Sequence, residues 1–365
     1  MVRIRRVVEL LESKNLDSVM ITRSDNLQYY LNIDILADSI AILYVSRSGE
    51  AVIYTPPLEY HRFRDSLKEL DVKAFSKTIK LPNEVVVEKS LEELIIDLAK
   101  GSSRIGVDVE SSPIASKVIK VIGDKLVDVT SDIYKQRMVK ESSEVEAIRE
   151  SINATIAGIK AVASMLSNDV TEVELAGLFE ARARSMGSRE QAFPTIVLFK
   201  PTNSYPHGLP SRRRLGKRNL VLIDAGVKVK GYCSDITRSI PWGRAVKEEV
   251  KIIEAVNEAV ESAIDSITPG VKASEVDSTA RRTLGKYGYS KHFIHGLGHG
   301  FGVSVHEPPY ITIGSETVIE PGMVFTIEPG VYIPGVIGVR IEEDVLIDNR
   351  GARVLTNSLS RTIYP

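Results

Sequence analysis

The chain of 365 residues is predicted to fold as an α/β domain over residues 1–131 followed by an α+β domain over residues 132–365. Three observations carry this. Short apolar runs alternate with helical periodicity through the first third. The remainder reads as two copies of one unit, each a helix, a second helix and a strand pair. The composition, 43% hydrophobic and 26% charged, is that of an ordinary globular protein able to bury large cores without staples.

In the first domain, Ile4, Val7, Val8, Leu10 and Leu11 are spaced for a helix over 3–14, and 18–22 reads as a strand. Residues 41–44 and 51–54 flank Ser46-Arg47-Ser48-Gly49, a hairpin signal. A helix over 91–98, a strand over 104–109 and a helix over 118–122 continue the alternation up to 128–131. In the second domain, Val145, Ile148, Ile152, Ile156, Ile159, Ala163 and Leu166 define one helical face over 144–166. Thr171-Glu172-Val173-Glu174 opens the next helix as a capping box. Strands follow over 220–226 and 232–240. The order then recurs: helices over 248–267 and 273–287, strands over 323–332 and 336–347.

The net charge of −1 gives no global field for nucleic acid or anionic lipid, and the cluster Arg212-Arg213-Arg214 with Lys217 and Arg218 reads as a solvated loop. The single cysteine, Cys233, excludes an intrachain disulfide and fits a reducing cytoplasm; a packed, inert thiol is expected there. The N-terminus reads as an amphipathic helix, with neither a signal-peptide core nor a cleavage site. No run of eighteen apolar residues suggests a membrane span.

The chemistry-bearing residues sit on the hairpins. Asp224 lies inside an apolar strand run, where an unpartnered carboxylate is expensive. Folding residues 219–240 about Val229-Lys230 pairs positions whose numbers sum to 459, which sets Asp224 opposite Asp235. A three-residue loop at Pro334-Gly335-Val336 gives partners summing to 670 in the second hairpin and sets Glu328 opposite Glu342. If the two copies pack sheet to sheet, four carboxylates converge, and two divalent cations would neutralise them. A lone strand carboxylate is commonly an ion-pair partner, and Arg340 could serve either glutamate; two such pairs in a duplicated unit point to a metal site instead. His299, bracketed by Gly298 and Gly300 so that its backbone can approach a ligand, adds a nitrogen. His306 ends a strand-like run over 302–305, and His207 sits on a turn-rich loop. One histidine and four carboxylates suit manganese, cobalt, iron or zinc.

At these residues the chain resembles the pita-bread metallopeptidases, in the prolidase and Xaa-Pro aminopeptidase (aminopeptidase P) branch. The resemblance covers most of the chain: Asp224 and Asp235 in a D-x10-D spacing, the segment H-G-L-G-H-G-F-G-V-S-V-H-E at 295–307, T-I-E-P-G at 326–330 and G-V-R-I-E-E-D at 338–344. Arg137-Met138-Val139-Lys140 resembles the entry to the catalytic domain, and the first domain resembles that of prolidases and creatinases. The resemblance implies a curved, mainly antiparallel sheet, two divalent ions (manganese or cobalt foremost), a homodimer, and small peptide substrates with proline after the N-terminal residue. It implies that Asp224 chelates one ion, Asp235 and Glu342 bridge both, and His299 and Glu328 bind the second. His207, His295 and His306 surround the substrate. Two-metal hydrolysis uses a shared water of lowered pKa; Glu328 is the expected proton shuttle, His306 steadies the oxyanion, and Arg340 and Thr237 orient ligands. Prolidases usually carry an arginine just after the H-E-x-P stretch, thought to hold a dipeptide's carboxylate. Here Tyr310 stands at that point, so dipeptides and longer Xaa-Pro peptides both stay open. A creatinase-like amidinohydrolase or a noncatalytic peptide-binding module would be expected to have lost ligands, and all five are present.

Overall fold

The computed structural model describes residues 2–36 and 39–363 and divides the chain into two compact units, Met1–Arg137 and Met138–Pro365. The boundary expected after residue 131 falls within a helix, Thr130–Met138.

The first unit is a mixed seven-stranded sheet. Ser18–Ile21 lies near its centre, antiparallel to Ile42–Ser46 and parallel to Ile105–Val107. The hairpin read at Ser46-Arg47-Ser48-Gly49 pairs Ile42–Ser46 with Ala51–Thr55, and Leu91–Leu98 is helical with a Ser90–Glu93 capping box. Three helices escaped the sequence reading, one of them Thr130–Met138. Ser24–Leu31 is buried at every position from Asn26 to Leu31, so it carries no amphipathic period. Pro57–Ser66 buries only Tyr60 and Phe63.

In the second unit every strand pairing among the described residues is antiparallel. The duplicated order is present. Helices Ser142–Ser164 and Glu172–Ser185 precede the first hairpin, and Lys247–Asp265 and Ala273–Lys286 precede the second. Thr171 caps its helix as expected: its hydroxyl accepts from the Glu174 N–H, and the Glu174 carboxylate accepts from the Thr171 N–H at 2.8 Å. The helix Ser142–Ser164 buries Val145, Ile148, Ile152, Ile156, Ile159 and Val162. The second helix pair packs with the second hairpin into one large apolar core that includes Val256, Val260, Leu284, Phe325, Ile327, Val339 and Val345. These cores hold the hairpins rigidly, which is what places a site on them. No described helix is long and apolar enough to cross a membrane.

The second hairpin has the expected register. Gly330–Ile333 pairs with Ile337–Arg340 about Pro334-Gly335-Val336, and Val324–Ile327 pairs with Glu343–Asp348 in the same alignment. The first hairpin does not. Its turn is Lys230-Gly231, not Val229-Lys230, with φ of 51° and 79°. Consequently Asp224 lies opposite Thr237, two positions from the expected partner. A shift of two leaves side-chain alternation intact, so Asp224 and Asp235 still face the same way. The copies also meet differently from a face-to-face packing. The Glu342 N–H donates to the Thr237 carbonyl at 3.2 Å, and the Arg340 N–H donates to the Ser239 hydroxyl at 3.2 Å, so the hairpins join edge to edge.

Candidate metal centre

Each hairpin is interrupted where its acidic residues fall. The first strand breaks after Ala225 and resumes at Val227, and its return strand breaks between Cys233 and Ile236, at Ser234-Asp235. In the second hairpin the breaks fall at Glu328-Pro329 and at Ile341-Glu342. At Gly226 a Cβ would lie 2.0 Å from the Ser234 carbonyl oxygen, so only glycine permits the crossing there. A broken ladder turns carboxylates that would lie flat along one sheet toward a common centre.

Asp224, Asp235 and Glu342 each offer an oxygen within 4.8 Å of the others, and Asp235, His299 and His306 form a second such set. Asp235 belongs to both. The His299 Nε2 lies 3.4 Å from Glu328 Oε1 and 3.7 Å from Asp235 Oδ2. The rings of His299 and His306 meet edge to face at 4.3 Å. His299 sits on the strand Gly298–Gly300, between Glu307–Ile311 and Val324–Ile327. Its flanking glycines serve a different purpose from the one expected. A Cβ on Gly298 would lie 1.9 Å from the Thr326 carbonyl oxygen, and one on Gly300 would lie 2.4 Å from that of Pro308. They admit neighbouring strands, not a ligand. The stretch expected as a strand over 302–305 is a series of bends leading to His306.

Hydroxyls orient the carboxylates. Thr237 donates to Glu342 Oε2 at 2.7 Å, and Thr326 donates to Glu328 Oε1 at 3.2 Å while accepting from the His299 N–H. Arg340, open to either glutamate in the sequence, is instead paired with Asp224. Its Nε also donates to the Thr237 hydroxyl, and its remaining nitrogen to the hydroxyl of Tyr332. Tyr332 in turn contacts His295 Nε2 at 3.1 Å, while His295 Nδ1 meets the Gly296 carbonyl at 2.8 Å. A carbonyl only accepts, so Nδ1 carries the proton and Nε2 accepts from the tyrosine. Thr326, Tyr332 and the fully buried Asp344 are the site residues that sequence reasoning passed over. Asp344 alone carried a signal, standing two residues beyond Glu342 in the stretch read from the sequence as one strand over 336–347. Cys233 is buried, its sulfur against the Val303 carbonyl at 3.8 Å.

The electrostatics are those of a site short of positive charge. Burial, then Glu342 and Asp224, hold the Asp235 carboxyl well above the usual carboxylate range. Burial and the charges of Glu328 and Asp224 do the same to Glu342. Burial pushes Glu328 up to about 8, with Arg340 opposing and Asp224 adding to the rise. Burial, then His306, depresses His299 to about 3, so its imidazole is neutral and its lone pair is available to a ligand. Arg340 is the guanidinium paired with one of these carboxylates, Asp224, while that of Arg238 donates to the Glu342 main-chain carbonyl and pairs with Glu343. This donor set, hard oxygens with neutral imidazole, fits divalent first-row cations.

A stability prediction arises here. A carboxyl whose pKa rises on folding contributes stability below its ordinary value of 4.5, and that contribution is lost as pH climbs through the folded value of about 8. With chelator present, the wild type should therefore lose thermal stability relative to Glu328→Gln between about pH 5 and about pH 8. Added divalent cation should remove the difference. A Tm gap between the two proteins that does not change with pH would contradict this account.

All five residues open onto a cavity of about 870 Å³, whose wall also includes His207, His295, His306, Arg340, Phe193 and Ile196. His207 and His306 both present surface to solvent, and partial desolvation of the His306 ring on the cavity wall, then His207, hold it below its ordinary pKa. Its enclosed polar centre and apolar walls have the form of a small-molecule or peptide site.

The comparisons agree with this geometry. The model of metallopeptidase family M24 matches residues 146–349, and that of the creatinase/prolidase N-terminal domain matches residues 3–139. The Xaa-Pro dipeptidase of Pyrococcus horikoshii is 32% identical over 364 residues, covering 98% of this chain and 97% of that protein. The prolidase structure from Pyrococcus horikoshii OT3 superposes with a TM-score of 0.86 at 31% identity, covering 97% of each chain. The X-Pro aminopeptidase structure from Thermotoga maritima MSB8 does so with a TM-score of 0.87 at 27% identity, covering 100% of this chain and 99% of the other. A pita-bread domain that brings acidic hairpins and a strand histidine together, behind a prolidase-type N-terminal domain, makes the chain a member of metallopeptidase family M24.

Proposed function

We propose that the chain is a dinuclear-metal exopeptidase that hydrolyses Xaa-Pro bonds in small peptides. The observation that carries the reading is the convergence of Asp224, Asp235, His299, Glu328 and Glu342 on one cavity wall, with Asp235 common to both candidate ligand sets. Asp224 would hold one ion and His299 and Glu328 the other, with Asp235 and Glu342 available to both. When bound, the ions supply a water of lowered pKa and polarise the scissile carbonyl. Asp224, Asp235 and Glu342 also set the negative end of the cavity, where a substrate's free amino terminus is received. Glu328 takes a proton from the attacking water and passes it to the proline nitrogen as the C–N bond breaks. That proton is needed because an unprotonated amide nitrogen is a poor leaving group. His306 donates to the developing oxyanion, and His207 and His295 line the space around the substrate. Manganese or cobalt as resident ions (zinc and iron being alternatives), a homodimer and a cytoplasmic location follow from the family resemblance.

The test is reconstitution. Chelator-stripped protein is incubated with manganese, cobalt or zinc and offered Ala-Pro and Ala-Pro-Ala. Cleavage of at least one peptide, dependent on added metal and confined to the bond before proline, is expected. No metal-dependent hydrolysis of either would refute the proposal.

A further inference from the structure

The cavity's charge arrangement says what lies beyond the proline. We infer that the site takes peptides longer than two residues and favours an apolar residue immediately after the proline, held by Leu209, Ile294 and Tyr310. The inference rests on the Xaa-Pro reading above and adds the length and the third residue of the substrate.

Two observations carry it. In a dipeptide, the α-carboxylate lies one bond beyond the proline ring and needs a cationic partner if it is held inside the cavity. Among the described residues that line the cavity there is no lysine, and the one arginine is Arg340. Arg340 is 3% exposed, and its three nitrogens are engaged with Thr237, Tyr332 and Asp224. Both ring nitrogens of His295 are likewise occupied, by Gly296 and Tyr332. The cavity wall therefore has no arginine or lysine left for a terminal carboxylate.

The second observation concerns the rim. Leu209 is 73% exposed, Ile294 65% and Tyr310 48%, and all three line the same cavity as the acidic centre. Leu209 comes from the loop before the first hairpin and Ile294 from the loop after the second helix pair, so each copy of the duplicated unit supplies one apolar wall. Exposed apolar side chains contiguous with a reactive centre mark a subsite. With the amino terminus at the carboxylates, the chain leaving the proline runs outward past these residues. An amide-linked apolar residue there gains contact, whereas a carboxylate loses hydration with no arginine or lysine of the cavity wall to receive it.

The experiment uses the metal-loaded full chain and four peptides: Ala-Pro, Ala-Pro-amide, Ala-Pro-Leu-amide and Ala-Pro-Asp-amide. We expect kcat/KM for Ala-Pro-Leu-amide to exceed that for Ala-Pro and for Ala-Pro-Asp-amide by about tenfold or more. Ala-Pro-amide should be cleaved better than Ala-Pro. Ile294→Lys should raise the Asp-to-Leu preference ratio by about tenfold. A merely structural defect would lower both substrates together and leave the ratio unchanged. Preference for Ala-Pro over its amide would overturn the length assignment. Equal rates on the Leu and Asp peptides would overturn the apolar subsite. Failure to cleave any of the four would instead refute the Xaa-Pro reading, and this inference with it.

Discussion

Replacing Asp235 by alanine is expected to lower kcat/KM by on the order of 10³-fold, the scale of losing a group that organises the charge of a reacting centre. Metal analysis of the variant should find one ion or none where the wild type holds two. Asp235 is the residue common to both candidate ligand sets, so its loss strips oxygen from each. The chelated variant should at the same time melt above the chelated wild type. Asp235 is buried beside Glu342 and Asp224, and burial together with these neighbours holds its carboxyl well above its ordinary pKa. Deleting it relieves that repulsion. A variant that is inactive but more stable without metal separates a ligand from a folding residue. Full occupancy by two ions in Asp235→Ala would remove the shared role assigned to it.

Replacing Arg340 by alanine is expected to destabilise the metal-free protein by about 3–5 kcal/mol, the usual consequence of breaking a buried ion pair from one side. The guanidinium is nearly inaccessible and holds Asp224, Thr237 and Tyr332 at once. Without it Asp224 keeps a buried charge and loses its partner, and the Tyr332 hydroxyl loses the donor that orients it toward His295. Lysine should not rescue the site, because a single ammonium cannot reproduce a planar fork with three partners. Divalent metal should recover part of the loss by neutralising Asp224 from its other side. Urea melts of wild type, Arg340→Ala and Arg340→Lys, with and without metal, measure this. A loss of under about 1 kcal/mol in chelator would mean that the pair is not structurally important.

The two hairpins show why one register was legible in the sequence and the other was not. Pro334-Gly335-Val336 announces a three-residue loop, and the pairing about it holds as far as Glu343 and beyond. The first turn needs positive φ at both Lys230 and Gly231, and lysine gives no signal for that conformation. The acidic pair survived the misreading because side-chain direction depends only on parity, and the shift was two. Gly298 and Gly300 were legible as required glycines, yet the reason for them was hidden: the atoms a Cβ would strike belong to Thr326, on a strand distant in sequence, and to Pro308, on the neighbouring strand after the next bends.

Sequence alone determined most of the elements and the candidate donors. Helical and strand periodicity, the duplicated order and the five candidate donor residues at their spacings are largely local properties, expressed within a few turns, one hairpin or one loop. Only the tertiary structure decided how those donors meet. Edge-to-edge joining of the hairpins places Thr237 on Glu342, the choice of Asp224 over either glutamate commits Arg340, and Tyr332 ties Arg340 to His295. Apart from the Tyr332–Arg340 bond, these are contacts between residues dozens to more than a hundred positions apart, set by which buried charges can be satisfied together. That satisfaction is a property of the packed whole, which no local pattern encodes.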